Sequence, residues 1–427
     1  MKQMKDSGIE WIGECPEHWG FVRGRYLFKQ RNTKGNLKNL ELLSPSQKFG
    51  VVPQTLLEEL TTQTVVKVKE DTNLETFKTI HVGDFCISLR SFQGGFEYSK
   101  YEGVVSSAYQ VFYPIVPIYD GYYKFLFKDK SFIEKMNSYT ISFRDGKNIA
   151  FEDFGNTYIP YLPIDEQRKI AEFLDKKCEE VDGLIADIQT QIDTLEQYKR
   201  STITEAVAKG LNPTVEMKDS GYEWIGESPK SWKFIRGRYL FKQRSTKGNL
   251  KNLELLSPSQ KFGVVPQTFL EEMTTQNVVK VREDTNLETF KTIHVGDFCI
   301  SLRSFQGGFE YSKYEGVVSS AYQVFYPIVP IYDGYYKFLF KDKSFIEKMN
   351  SYTISFRDGK NIAFEDFGNT YIPYPPIDEQ KSIAEYLDKK CAEIDACIDE
   401  KKQQISVLET YKKSIIFEYV TGKKEVV

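Results

Sequence analysis

The sequence predicts an α+β chain of two β-rich domains, each followed by a long helix, and three observations lead there. The 427 residues repeat themselves at a fixed offset of 213. Short apolar runs of strand length fill most of each repeat. Apolar residues seven apart mark what remains.

The repeat sets the organisation, because a missed repeat misreads a whole fold. MKDSGIEWIGECPEHW (Met4–Trp19) returns as MKDSGYEWIGESPKSW (Met217–Trp232). Residues Arg23–Tyr161 return at Arg236–Tyr374 with five changes: Asn32/Ser245, Leu56/Phe269, Leu60/Met273, Thr64/Asn277 and Lys69/Arg282. The tails have drifted, LIADIQTQIDTLEQYKRSTITEAV against CIDEKKQQISVLETYKKSIIFEYV. So long a period is no solenoid repeat; each half is a domain plus a helix. IPYLP (Ile159–Pro163) and IPYPP (Ile372–Pro376) mark the boundaries, giving expected segments 1–163, 164–212, 213–376 and 377–427.

Within the domain, VVKVK (Val65–Lys69), FCISL (Phe85–Leu89) and VFYPIV (Val111–Val116) are β-branched or apolar runs of strand length. TKGN, VGD, FQGG and RDGKN punctuate them as turns. YYKFLFKDKSFIEKMNSY (Tyr122–Tyr139) reads as one helix, with Phe125, Phe132, Ile133 and Met136 near one face. Trp11, Trp19, Trp224 and Trp232 are expected to anchor the opening box of each repeat to its domain.

The stretch PIDEQRKIAEFLD (Pro163–Asp175) and its copy PIDEQKSIAEYLD (Pro376–Asp388) open the helices. Asp165 is placed as the N-cap, with Pro163 just outside. From there about 45 residues reach Lys209, roughly 65 Å of helix. Leu174, Val181, Ile188 and Leu195 fall seven apart, as do Cys178, Ile185 and Ile192. This is an a/d seam, which demands a partner helix. The second tail repeats it with Leu387, Ile394 and Leu408 beside Cys391, Ile398 and Ile405, and puts Lys401 where the first has Ile188. Each helix's expected partner is its duplicate, with parallel and antiparallel pairing both sterically open.

Charge is balanced overall, 57 Lys+Arg against 60 Asp+Glu, yet unevenly distributed. Arg23–Tyr161 and Arg236–Tyr374 each hold 18 basic and 15 acidic residues, whereas Asp165–Lys209 holds 7 and 11, and Asp378–Thr421 holds 7 and 10. Mildly basic domains on acidic helices permit phosphate contact by the domains and discourage it along the helices. The six cysteines form no CxxC pair, and Cys86 and Cys299 sit in apolar runs where a small hydrophobe is expected. No apolar run reaches the roughly 20 residues of a membrane span, and the opening residues do not resemble a signal peptide. A reduced cytoplasmic protein with no membrane contact is the expectation. Enzyme motifs are missing: no GxGxxG, P-loop, GxSxG or NPPY-type tetrapeptide, and His18, His81 and His294 share no metal-ligand spacing. No cofactor and no metal are expected.

With KDSGIEWIGECPEHW opening each repeat, SSAYQVFYP late in each domain and IPYLPIDEQRKIAEFLD entering each helix, the chain resembles a specificity subunit of type I restriction–modification enzymes over essentially all its length. The resemblance implies a non-enzymatic, sequence-specific reader of double-stranded DNA. Two target-recognition domains would stand in pseudo-twofold arrangement, joined by two long helices forming an antiparallel coiled coil. Two methylation subunits and motor-nuclease restriction subunits would be its partners. Family members usually carry dissimilar domains; near-identical ones in such an arrangement would read an interrupted palindrome, as symmetric dimers do.

The candidate DNA-reading residues lie in two Gly-bearing polar turns. SLRSFQGGFEYSKYEG (Ser88–Gly103) offers Arg90, Ser91, Gln93 and Lys100, and ISFRDGKNIAFED (Ile141–Asp153) offers Arg144, Lys147 and Asn148. The copies are Arg303, Ser304, Gln306, Lys313, Arg357, Lys360 and Asn361. Arg on guanine and Gln or Asn on adenine are the common bidentate base contacts, and the family places DNA-facing loops here. A polar glycine turn serves equally as a solvated hairpin. Lys29, Arg31 and Lys34 are candidates for phosphate contact; Tyr101, Tyr109, Tyr119, Tyr122 and Tyr123 are assigned to packing rather than base stacking. Two other readings stay open, an orphan DNA-binding adaptor of another defence system and a duplicated coiled-coil scaffold that binds proteins.

Overall fold

The computed structural model describes residues 3–35, 40–61, 76–87, 95–139, 149–248, 253–273, 289–300, 308–352 and 362–426. The chain divides into two units, Met1–Ile188 with Lys402–Val427, and Gln189–Lys401. Each unit therefore takes its domain from one repeat and a helix end from the other.

In the first unit the centre is a four-stranded antiparallel sheet in the order Phe28–Arg31, Gln110–Pro114, Phe85–Ile87, Phe96–Tyr98. Both faces of this sheet are covered. Side chains alternate across a strand, so Phe85, Ile87 and Phe112 enter one apolar cluster while Cys86 and Val111 enter another with Leu43, Val51, Ile80 and Val105. That is why FCI reads as an unbroken apolar run rather than an alternating one. Phe28 lies within 5.4–5.8 Å, centroid to centroid, of Phe85, Phe112, Tyr123, Phe127 and Phe154. Tyr122 and Tyr123 are fully buried in the same cluster. Trp19 is buried against Tyr122, and Trp11 packs edge-on to Phe132. Gly24 is required by close approach: a Cβ there would stand 2.7 Å from the Phe154 carbonyl oxygen.

The expected strands Phe85–Leu89 and Val111–Val116 correspond to strands Phe85–Ile87 and Gln110–Pro114; the run Val65–Lys69 lies outside the described residues. Two local expectations need correction. The segment Tyr122–Tyr139 is two helices, Asp120–Leu126 and Lys130–Ser138. The break belongs to Asp129, whose buried carboxylate accepts from the backbone N–H of Ser131 and Phe132 at 2.9 and 3.2 Å and so caps a new helix. Asp165 is not the N-cap of the long helix. Helix Ile164–Lys209 begins one residue earlier, and the Pro163 carbonyl takes the first bonds, from the N–H groups of Glu166 and Gln167. Asp165 lies exposed in the first turn, where its charge suits the helix dipole.

The side chain that ties helix to domain is Gln167, fully buried. It accepts from Tyr119 N–H and donates to the Leu162 carbonyl, both at 2.8 Å. Gln380 repeats this with Tyr332 and Pro375 in the second unit. The glutamine of PIDEQ thus plays the same structural part in each repeat.

Within each unit the two helix segments run antiparallel. In the first, Phe173 packs on Tyr419 at 4.5 Å and Asp182 pairs with Lys412 at 2.6 Å, one index rising as the other falls. In the second, Lys401 donates to Gln191 at 2.5 Å and Lys199 pairs with Asp395 at 2.6 Å. The helix ends dock into the domains: the Tyr122 hydroxyl donates to the Val420 carbonyl, and the Tyr335 hydroxyl to that of Val207, each at 2.7 Å. Leu174, Cys178, Val181, Ile192, Leu387, Cys391, Ile394 and Ile398 are buried; Ile185, Ile188, Leu195, Ile405 and Leu408 are half-buried. Among the described residues no helix is long and apolar enough to cross a membrane.

Two expected outcomes follow. Val207 and Lys199 are the copies of Val420 and Lys412, so a fragment ending at Lys209 can satisfy its own domain only with a second copy's tail. Light scattering should give twice the fragment mass, and Ile192→Asp, which puts a charge at a buried seam position, should give the single mass. A wild-type fragment of single mass contradicts the pairing.

The second outcome concerns Glu97, almost fully buried on the edge strand of the central sheet beside Lys128 at 2.8 Å. Burial pushes its carboxyl above the usual range, and the Lys128 ammonium only partly offsets this. A carboxyl whose folded pKa exceeds its unfolded one favours the folded state below the unfolded pKa, and that favour is lost as pH rises through the folded pKa. Glu97→Gln should therefore raise the melting temperature at pH 8, with the gain shrinking toward zero as the pH falls below the ordinary carboxylate range; a gain that grows on acidification refutes it.

Candidate nucleic-acid interface

The described strands fix where the first polar segment leaves and re-enters the domain. Ile87 and Phe96 face each other in register on neighbouring strands of the central sheet, so the described residues on either side of 88–94 lie close together. The second polar segment leaves from Tyr139, behind helix Lys130–Ser138, and returns at Ile149, just before helix Phe151–Asn156. Arg90, Ser91, Gln93, Arg144, Lys147 and Asn148, with Arg303, Ser304, Gln306, Arg357, Lys360 and Asn361, lie outside the described residues.

Lys100 and Lys313 are described and exposed. Strand Phe96–Tyr98 separates Lys100 from the end of 88–94, about 13 Å from Phe96 along an extended chain. It occupies a turn fixed by Ser99, whose hydroxyl donates to the Tyr101 carbonyl at 2.7 Å.

Arg31 is not free for phosphate, which corrects that expectation. Its guanidinium donates to both oxygens of buried Asp84, at 2.6 and 3.0 Å, and lies 4.4 Å from the Tyr113 ring centroid. Asp84 also accepts from the His81 N–H at 2.9 Å, so Arg31 neutralises a carboxylate that organises the VGD turn. Arg244, Asp297 and Tyr326 repeat the arrangement. A buried charge that lost this partner would cost several kcal/mol, so the pair is structural. Lys29 and Lys34 are exposed.

Tyr101 and Tyr314 are partly exposed, at 37 and 41%, whereas Tyr109 and Tyr119 are half-buried. The histidines make acid–base pairs of structural kind. His81 stands 3.0 Å from Glu102, and His18 stands 2.8 Å from Glu166 in the first turn of the long helix, beside the Trp19 indole that donates to the same carboxylate. Among the described residues no group of three or more His, Cys, Asp and Glu could hold a metal. Burial pushes the Cys86 and Cys299 thiols far up, which leaves both as inert core groups.

Sequence reading missed one surface. Arg23, Arg25 and Tyr26 stand near Tyr158 and Tyr139, where helix Phe151–Asn156 passes through Thr157 into strand Tyr158–Tyr161. The dipeptide spacing RGRY was the available signal, but its residues gain meaning only when strand Gly20–Arg23 pairs with Tyr158–Tyr161.

Comparison with known proteins places this architecture. The family model described as "Type I restriction modification DNA specificity domain" matches residues 58–197 and 229–410. The chain is 27% identical over 286 residues to the type I restriction enzyme MjaVIII specificity subunit of Methanocaldococcus jannaschii, covering 63% of each chain. It spans 59 and 63% of the length of the first two curated relatives it matches, both from that organism. Among solved structures it is similar in fold to the HsdS subunit from Thermoanaerobacter tengcongensis, with TM-score 0.51, 15% identity and coverage of 96% of this chain and 98% of that one. A chain from the structure describing complex assembly and conformational transition of the type I R-M system gives TM-score 0.67 at 13% identity, with 96 and 99% covered. With matched segments covering most of both repeats, the chain belongs to the family of type I restriction modification DNA specificity domains.

Proposed function

We propose that the chain is the DNA-reading specificity subunit of a type I restriction–modification enzyme, itself without catalysis, which binds duplex DNA and seats two methylation subunits and the motor-nuclease subunits. Each domain reads one half of a bipartite site. The polar segments Ser88–Gly103 and Ile141–Asp153 and their copies supply the base contacts, through Arg90, Ser91, Gln93, Lys100, Arg144, Lys147 and Asn148 and their counterparts. The site is an interrupted palindrome.

The single observation that carries this reading is the equivalence of the two units. Exchanging the repeats turns one set of contacts into the other: Asp182–Lys412 becomes Asp395–Lys199, and Tyr122–Val420 becomes Tyr335–Val207. Domains that differ at five positions over Arg23–Tyr161 and are held by equivalent contacts present the same surface twice. Antiparallel helix pairing within each unit supports their reading opposite strands. The protein-binding scaffold loses ground because its seam is occupied by the chain's own second helix.

Binding of the chain with its methylation subunits to labelled duplex tests the assignment. A duplex carrying the motif should bind at least about a thousandfold more tightly than a scrambled one, with affinity falling steeply as salt rises. Equal affinity for both duplexes contradicts it.

A further inference from the structure

A cluster of cations and exposed tyrosines stands on the first domain. The Arg23 guanidinium lies 5.4 Å from the Tyr158 ring centroid, that of Arg25 lies 5.6 Å from Tyr26, and the Lys135 ammonium lies 4.8 Å from Tyr139. Backbone geometry makes them neighbours. Arg23 and Tyr158 are opposite in register on paired strands. The Arg25 Cβ would stand 3.4 Å from a Cβ at Gly155. The Thr157 hydroxyl donates to the Tyr139 hydroxyl at 3.2 Å. The rings face solvent: Tyr26 is 61% exposed, Tyr158 46% and Tyr139 40%.

The second unit builds a matching cluster, except that Tyr371 is half-buried and stacked on Tyr222 at 4.6 Å. Arg236 lies over Tyr371, Arg238 over Tyr239 and Lys348 over Tyr352, at 5.2, 5.3 and 4.7 Å. There Arg238 also donates to the Asn369 side-chain carbonyl at 2.9 Å.

Charge decides the occupant. Among the described residues none of Arg23, Arg25 and Lys135 pairs with a carboxylate. The adjoining helix carries two acids, Glu152, which is exposed, and Asp153, which is turned to the Ala150 N–H at that helix's start. An arginine lying on a ring is held flat and weakly hydrated, with its N–H fork free for a planar bidentate anion. Tyrosine hydroxyls and arginines are common donors to DNA phosphate. The exposed rings of the cluster are all tyrosines, with no aliphatic anchor of the kind a protein interface centres on. Tyr139 also lies just before Ile141–Asp153, so the cluster adjoins a segment assigned to base reading.

We propose that Arg23, Arg25, Tyr26 and Tyr139, with Arg236, Arg238, Tyr239 and Tyr352, clamp the phosphate backbone of duplex DNA beside each half-site, setting the register of the domain without reading bases. The inference rests on the DNA-reading assignment above.

Its test uses the complex with methylation subunits, carrying Arg25→Ala with Arg238→Ala, both exposed positions. Affinity for motif and scrambled duplexes is measured across a salt series. The slope of log affinity against log salt should fall in magnitude by about 1.8, at about 0.9 for each phosphate no longer neutralised, while the ratio between the two duplexes stays unchanged. Arg25→Lys with Arg238→Lys should restore the slope. An unchanged slope in a variant of unchanged melting temperature overturns the clamp, as does loss of the methylation subunits on sizing with DNA affinity intact, which would make the cluster a protein-docking surface. A wild-type complex that fails to distinguish the two duplexes defeats the DNA-reading assignment itself, a result separate from either.

Discussion

Everything in this structure depends on the end of one repeat's helix being seated in the domain of the other repeat. A helix of 46 residues leaves its last carbonyls without partners inside itself. Here a tyrosine hydroxyl from a fully buried aromatic core supplies one, Tyr335 for Val207 and Tyr122 for Val420. Ala206 and Val207 join the apolar core of the second domain, and Val420 joins that of the first. Neither unit is complete from its own repeat. At the other end of each helix the buried glutamine of PIDEQ holds the entry to the domain, so both ends are tied.

The domains are nearly identical whereas the tails differ, and the two are constrained differently. A side chain in the aromatic cluster touches several rings at once, and a change there costs both transfer and cavity terms. On the helices only the seam is so constrained. Thr204 and Phe417 are copies, and only the former can donate its hydroxyl to an N-cap carboxylate, that of Asp342. Ala206 and Tyr419 are copies too; the latter instead lies against Phe173. Different side chains thus seat the two tails, while Asp182–Lys412 and Asp395–Lys199 keep the same pairing in both units.

Much of this was legible in the sequence, for reasons that can be named. The fixed offset disclosed two domains, and the sevenfold spacing disclosed two pairing helices, because repetition and helical period are properties of the chain itself. The break at Asp129 was not legible: a short apolar-faced segment looks like one helix until a carboxylate is seen turned to the N–H groups beyond it. Arg31 looked like a phosphate ligand because nothing in its own stretch shows Asp84, 53 residues away, waiting beneath it. The Arg–Tyr cluster was hidden for the same reason, since Arg23 and Tyr158 meet only through strand pairing. Local capping at Pro163 was misassigned by two residues, an error of boundary rather than of element.

The functional account joins two near-identical domains to one polymer whose strands run in opposite senses. On the proposed reading, equivalent seating of the two domains predicts equivalent half-sites. Native genomic DNA from cells carrying this chain and its methylation subunits offers the most direct measurement, through the sequence context of every methylated base. The account expects a single motif whose second half is the reverse complement of the first across a fixed gap. Two unrelated half-sites, or two copies in the same orientation, would contradict it.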